Sequence, residues 1–129
     1  MIRRLHELAE KSGENIRQGH GLAHSRLLLS AQDGCPFQAL AFNRLPPGSS
    51  WGPKTQDKTA EFFLILSGQA EVLDQGQRAL LHPGDILLAK NGEMLAIRNP
   101  GPAELTFVAC LYKDQAPGPL AALLGRPRS

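Results

Sequence analysis

The sequence predicts an all-β protein, a single jelly-roll barrel (a double-stranded β-helix) preceded by a short N-terminal helix. Three observations predict it: apolar runs of strand length, turn residues between nearly all of them, and a chain of one-domain size. At 129 residues the chain can bury a real core. With 42% hydrophobic and 20% charged residues it has the composition of an ordinary globular domain, not of a disordered one.

The elements follow in order. Ile2, Leu5, Leu8 and Ala9 recur at helical spacing, and Gly13 is a stop, so a short helix is expected to lay one apolar stripe on the barrel. A polar, Gly-rich linker runs from Glu14 to Gly21. Strand-like segments then span 26–31, 37–45, 60–66, 70–73, 78–81, 86–89, 94–98 and 104–112. Asp33-Gly34, Pro46-Pro47-Gly48, Ser67-Gly68, Gln75-Gly76, Pro83-Gly84-Asp85, Asn91-Gly92 and Pro100-Gly101-Pro102 punctuate them. Many short strands with regular Gly and Pro turns close into a double sheet. The tail holds Leu120, Ala121, Leu123 and Leu124, enough for one or two helical turns or for a loose end. The resulting division is an N-terminal helix and linker over 1–25, a barrel over 26–112 and a tail over 113–129.

Strand alternation says what the barrel encloses. Residues two apart share a face, so Glu61 pointing inward takes Phe63 and Ile65 with it and sends Phe62, Leu64 and Leu66 outward. Both faces are apolar, and a small barrel has one interior, so the outer face is expected to meet the N-terminal helix, the tail or a second subunit. A homodimer is the expected assembly. The same parity puts Leu95 and Ile97 inside and turns Arg98 outward. Thr106, Val108, Cys110 and Tyr112 share one face of the last strand, and parity alone leaves open whether that face is inward.

The spacing of two segments is more specific. Gly48 is followed by five residues and Lys54, then Thr55, Gln56, four residues, Glu61, six residues and Gly68. Gly84, Lys90, Gly92, Leu95 and Asn99 form a second set. These frames resemble the two motifs of the cupins, specifically the small single-domain ones, over roughly residues 26–112. The resemblance implies a barrel whose metal ligands are two His and a Glu from the first motif and a His from the second. Here those positions hold Lys54, Gln56, Glu61 and Leu95, so only Glu61 remains of the four. The run 25–29 with Asp33-Gly34, Phe37 and Glu61 has a fainter similarity to the ectoine synthase branch, a metal-dependent cyclising dehydratase. Its iron ligands correspond to Glu61, Leu87 and Leu95, two of them lost, so the resemblance does not carry the activity over.

Metal chemistry needs three or four imidazole, carboxylate or thiolate ligands converging. A protonated amine and a Leu are no ligands, and a Gln oxygen is a weak one, so no metal and no other cofactor is expected. His6, His20, His24 and His82 fall on the helix, in or beside the linker, and before a turn. Lys54 instead places one ammonium beside Glu61 where the family has a divalent ion, which favours the ionised carboxylate. That pair is either a plain rim salt bridge, worth at most about 1 kcal/mol, or a site in which Lys54 and Gln56 hold a carboxylate or carbonyl. A Schiff-base role for Lys54 is disfavoured, since Glu61 is expected to raise its pKa. Trp51 is expected in the pocket wall, and Asn99 in turn hydrogen bonds.

Two function classes follow. In one, the barrel binds a small polar or anionic molecule in an internal cavity lined by Trp51, Lys54, Gln56, Glu61, Phe63 and Leu95. In the other it is an isomerase, lyase or cyclase in which Glu61 moves a proton and Lys54 anchors the substrate. A net charge of +2 with scattered Lys and Arg argues against nucleic acid as a partner. No apolar run is long enough for a membrane span, so no membrane partner and a cytoplasmic location are expected. Cys35 and Cys110, far apart in sequence, are expected as free thiols.

Overall fold

The structure, a computed structural model, describes residues 1–114. The residues proposed for a C-terminal helical turn, Leu120 to Leu124, lie outside the described residues. Ten strands are present among the described residues: β1 Lys11–Glu14, β2 Leu22–Ser30, β3 Ala39–Leu45, β4 Ser50–Thr55, β5 Thr59–Ser67, β6 Ala70–Asp74, β7 Gln77–Leu81, β8 Ile86–Ala89, β9 Met94–Arg98 and β10 Leu105–Lys113. They form a six-stranded sheet, β1-β2-β3-β10-β5-β8, facing a four-stranded one, β4-β9-β6-β7. Every pairing within the two sheets is antiparallel. This is the all-β barrel that the turn punctuation predicts.

The core sits between the sheets, and period-two alternation fills it. Phe63, Ile65, Val72, Leu95, Ile97, Leu105 and Phe107 are buried in one cluster with Leu45 and Leu87. Each such side chain contributes on the order of 1.5–3 kcal/mol of burial. Phe62 and Leu64 point the other way. On the outer face of the larger sheet, Leu40, Cys110, Phe62 and Leu88 stand in register across four strands. Phe42, Val108, Leu64 and Ile86 form a second such row. Ile86 is 58% and Leu88 40% exposed, so this apolar face is open at the β8 edge. The face left undecided in β10 is thereby settled: Leu105, Phe107 and Ala109 point inward, whereas Cys110 and Tyr112 belong to the outer face.

Motif positions do structural work. Gly68 has φ +79°, and a Cβ there would lie 2.5 Å from the Glu104 carbonyl oxygen, so only glycine fits this turn. Asn99 is wholly buried; its amide donates to the Leu45 and Ala103 carbonyls, both at 2.8 Å, and its Oδ1 accepts from Gly101 N–H. Those three bonds are the turn role expected of it. Cys35 and Cys110 are free thiols. Burial raises the Cys110 pKa, helped by the charge of Glu61.

The N-terminal segment corrects the sequence reading. Instead of a helix, Leu5–Glu7 is a single 3-10 turn, and the chain then runs extended into β1. A helix of so few residues is marginal, and charged tethers compete with it. Arg3 donates to both oxygens of Asp33 and to the Leu28 carbonyl, and Arg26 donates to the Leu5 carbonyl. Ile2 stays 81% and Leu5 38% exposed, so the apolar stripe is left largely uncovered by the described residues. β1 and β4 are the strands without a counterpart in the sequence reading. β1 is Lys-Ser-Gly-Glu, with no apolar alternation, and β4 contains Gly52-Pro53, which argues against a strand interior.

Candidate functional site

Glu61 lies on the inner face of β5 with its side chain 3% exposed. A buried carboxylate needs partners, and three elements supply them. β4 brings Lys54, whose Nζ is 3.7 Å from Glu61 Oε1. Just beyond β4, Gln56 is buried, and its Nε2 approaches the same oxygen at 3.4 Å. Thr59 donates to Gln56 Oε1 at 2.5 Å, which fixes the amide so that its nitrogen faces Glu61. The third partner is Arg17, from the stretch read as a linker. Its Nη1 and Nη2 donate to Glu61 Oε1 and Oε2 at 2.7 and 3.3 Å, a two-pronged grip.

Arg17 reaches the barrel because the strap 15–21 is clamped on β4. His20 N–H donates to the carbonyl and Oγ of Ser50, and Ser50 N–H returns to the His20 carbonyl. Gly19 approaches so closely that a Cβ would lie 2.1 Å from the Ser50 carbonyl oxygen. Within the strap Asn15, Arg17 and Gln18 have φ of 55°, 52° and 64°, the left-handed region that costs a side-chain-bearing residue on the order of 1 kcal/mol or more. The clamp holds that strained backbone, and the guanidinium is what it delivers.

Trp51 forms the platform. The Arg17 guanidinium carbon lies 3.9 Å from the Trp51 ring centroid, a cation–π contact. The ring stacks on Phe63 at 5.3 Å, and Phe107 packs against both at 5.8 and 4.9 Å. Trp51 Nε1 is buried and has no hydrogen-bond partner among the described residues. Leu95, buried on β9, stands opposite Lys54 in the β4–β9 register. The structure therefore brings Lys54, Gln56 and Arg17 onto Glu61, with Trp51 and Phe63 stacked alongside. Arg98 points away and pairs with Glu71, as parity requires.

Two hollows flank the centre. An open basin of about 480 Å³ is lined by Arg17, Gln18, Pro53, Lys54, Thr55 and Met94. A smaller, mainly apolar cavity of about 160 Å³ lies under β1, walled by Ile16, Ala23, Leu45, Trp51 and Phe107, with Asn43, His24 and Ser12 also on its lining. Of the residues expected to line an internal cavity, Trp51 alone lines this one. Burial lowers the Lys54 pKa, the Arg17 charge lowers it further, and Glu61 only partly offsets them. This reverses the sequence expectation, which lacked Arg17. No three His, Cys, Asp or Glu side chains converge among the described residues. No described helix is long and apolar enough to cross a membrane.

Sequence reasoning missed Arg17 because its contact with Glu61 spans 44 positions of chain. One signal existed: replacing a divalent ion by the single ammonium of Lys54 leaves the motif one positive charge short.

The barrel and the frame of the two motifs define a small cupin. The cupin domain family model matches residues 41–110, and the chain belongs to that family. It is 32% identical over 113 residues to the oxalate-binding protein of Thermotoga maritima, covering 86% of this chain and 93% of that one. A crystal structure from Thermotoga maritima of a predicted oxalate decarboxylase superposes with a TM-score of 0.83 at 30% identity, covering 88% of this chain and 99% of that chain. A sugar phosphate isomerase of the cupin superfamily from Silicibacter pomeroyi shares the fold, with a TM-score of 0.73 at 18% identity over 88% of this chain and 76% of that one.

Proposed function

We propose that this cupin binds a small carboxylate in the basin beside Glu61, held by Arg17 and Lys54 without a transition metal. The observation that carries the reading is the convergence of two cations on one buried carboxylate where the family's motif places metal ligands. The centre keeps a surplus positive charge, and both cations line the open basin. Arg17 has five N–H donors, of which two groups engage Glu61, so it can take a second carboxylate without releasing the first. The relative named an oxalate-binding protein supports the ligand class. The donor set does not suit a transition metal: one carboxylate already gripped by a guanidinium, one amide, one amine and one Leu. The Arg17 grip on both Glu61 oxygens also argues for binding over proton transfer, because the carboxylate a proton would have to reach is occupied.

Calorimetric titration of oxalate into protein dialysed against a chelator tests the reading. Saturable binding is expected, weakened about tenfold or more in Arg17→Gln and several-fold in Lys54→Gln, with no stoichiometric metal by elemental analysis. Binding that appears only on adding a divalent ion would overturn it. The apolar outer rows of β10, β5 and β8 support a homodimer as the assembly; a monomeric mass by light scattering at working concentration counts against that part.

A further inference from the structure

The cavity under β1 is not explained by the binding of a compact anion such as oxalate. Its wall is made by Ile16 from the strap, Ala23 of β2, Leu45 of β3, Trp51 of β4 and Phe107 of β10. Its volume, about 160 Å³, is close to the roughly 150 Å³ that accepts a benzene ring, and it is partly open, with Lys11, Ser12, His24, Ser25 and Asn43 also on its lining. Close-packed interiors contain few voids of this size. Two shared elements join it to the cationic centre. Trp51 is a wall of the cavity and also the platform under the Arg17 guanidinium. Ile16 roofs the cavity while the next residue, Arg17, grips Glu61. The apolar cavity and the basin have no lining residue in common, but only a single indole and a single turn of backbone separate the cavity from the Arg17 guanidinium.

Resting on the carboxylate reading, we infer that the ligand is an amphiphilic monocarboxylate, with a six-carbon ring or branched aliphatic group in the cavity and its carboxylate against Arg17 and Lys54. Such a ligand gains from burying its apolar part, whereas a bare anion leaves the cavity unused. The Asn43 amide is 5% exposed on the inner face of β3, and its one hydrogen bond among the described residues is a long one, 3.3 Å to the Ala41 carbonyl. It leaves that wall able to receive one polar substituent on the ring. Discrimination by the cavity is therefore by size and by apolar area, and discrimination by Arg17 is by charge.

Parallel calorimetric titrations with phenylacetate, acetate and oxalate test this. Phenylacetate is expected to bind about tenfold or more tightly than acetate. Ala23→Leu, which fills the cavity, is expected to erase that margin while leaving acetate and oxalate unchanged, and Arg17→Gln to weaken all three. In the unsubstituted protein, NMR is expected to show nuclear Overhauser contacts from the phenylacetate ring protons to the methyls of Ile16, Ala23 and Leu45, a readout that does not depend on any variant folding. Equal affinity for phenylacetate and acetate with oxalate still bound overturns the inference and leaves the carboxylate reading standing. So does a phenylacetate margin that survives Ala23→Leu, or an affinity for phenylacetate indifferent to Arg17→Gln. Failure of all three carboxylates to bind overturns both.

Discussion

Glu61 inside the barrel and Glu10 at its N-terminal edge are each held by two cations, yet the two centres differ in what remains once the charges are counted. Glu10 accepts from Arg44 at 2.7 and 2.9 Å and from Arg26 at 3.4 Å, and Arg44 also reaches Glu104 at 2.8 Å. Two carboxylates against two guanidinium groups balance. This centre is a clasp that fixes the N-terminal segment across β2 and β3. At Glu61, Arg17 and Lys54 share one carboxylate, and no second acid pairs with either among the described residues. Similar ingredients thus give a closed structural tie in one place and an unspent positive charge in the other. The difference is whether a further acid is in reach.

The strongest way to break the comparison is Arg17→Ala. It leaves a nearly fully buried Glu61 with a single, more distant cation, and the expected loss is about 2–3 kcal/mol of unfolding free energy, measured by urea denaturation. Glu10→Gln should lower the urea midpoint by less, because its partners can turn to water, and should leave oxalate affinity unchanged. A Glu10→Gln variant that lost oxalate affinity would erase the distinction.

Acid separates the centres next. Arg44 holds the Glu10 pKa down to about 2 from an ordinary 4.5. A depressed carboxylate contributes its stabilisation fully above the unfolded value and loses it as pH falls toward the folded one. Stability should therefore fall between about pH 4.5 and 2, with a shallower fall in Glu10→Gln, followed by thermal melts across that range. Alkali should produce the smallest effect, at the other centre. Lys54 is pushed below the usual lysine range by burial and by Arg17, and the proposed anion binding calls for its ammonium form. Oxalate affinity should weaken as pH rises through that lowered value, several-fold at most since Arg17 still faces the anion, and Lys54→Gln should remove the dependence.

What the sequence makes legible follows from the range of the interactions. The inward set on β5 and β9, Glu61, Phe63, Ile65, Leu95 and Ile97, can be read from strict alternation, which is local. The outer apolar face of β5 can be read from the same rule. β4 hides behind Gly52-Pro53, and β1 has no apolar residue to mark its face. The N-terminal periodicity of Ile2, Leu5 and Leu8 is genuine, but the described residues leave Ile2 and Leu5 exposed, and the Arg3 and Arg26 tethers favour the extended path. Glu61, Lys54 and Gln56 can be placed together by motif spacing. Arg17 cannot, because its approach depends on a strap of left-handed residues clamped to a strand that the sequence does not announce.

Trp51 is the single tryptophan of the chain, and its ring touches Arg17, Phe63, Phe107 and the apolar cavity. All indole fluorescence of this protein therefore originates at the junction between the apolar cavity and the Arg17 guanidinium. Its emission maximum and quenching by iodide or acrylamide become an optical gauge of that one junction, with no label to introduce and no second fluorophore of its kind to subtract.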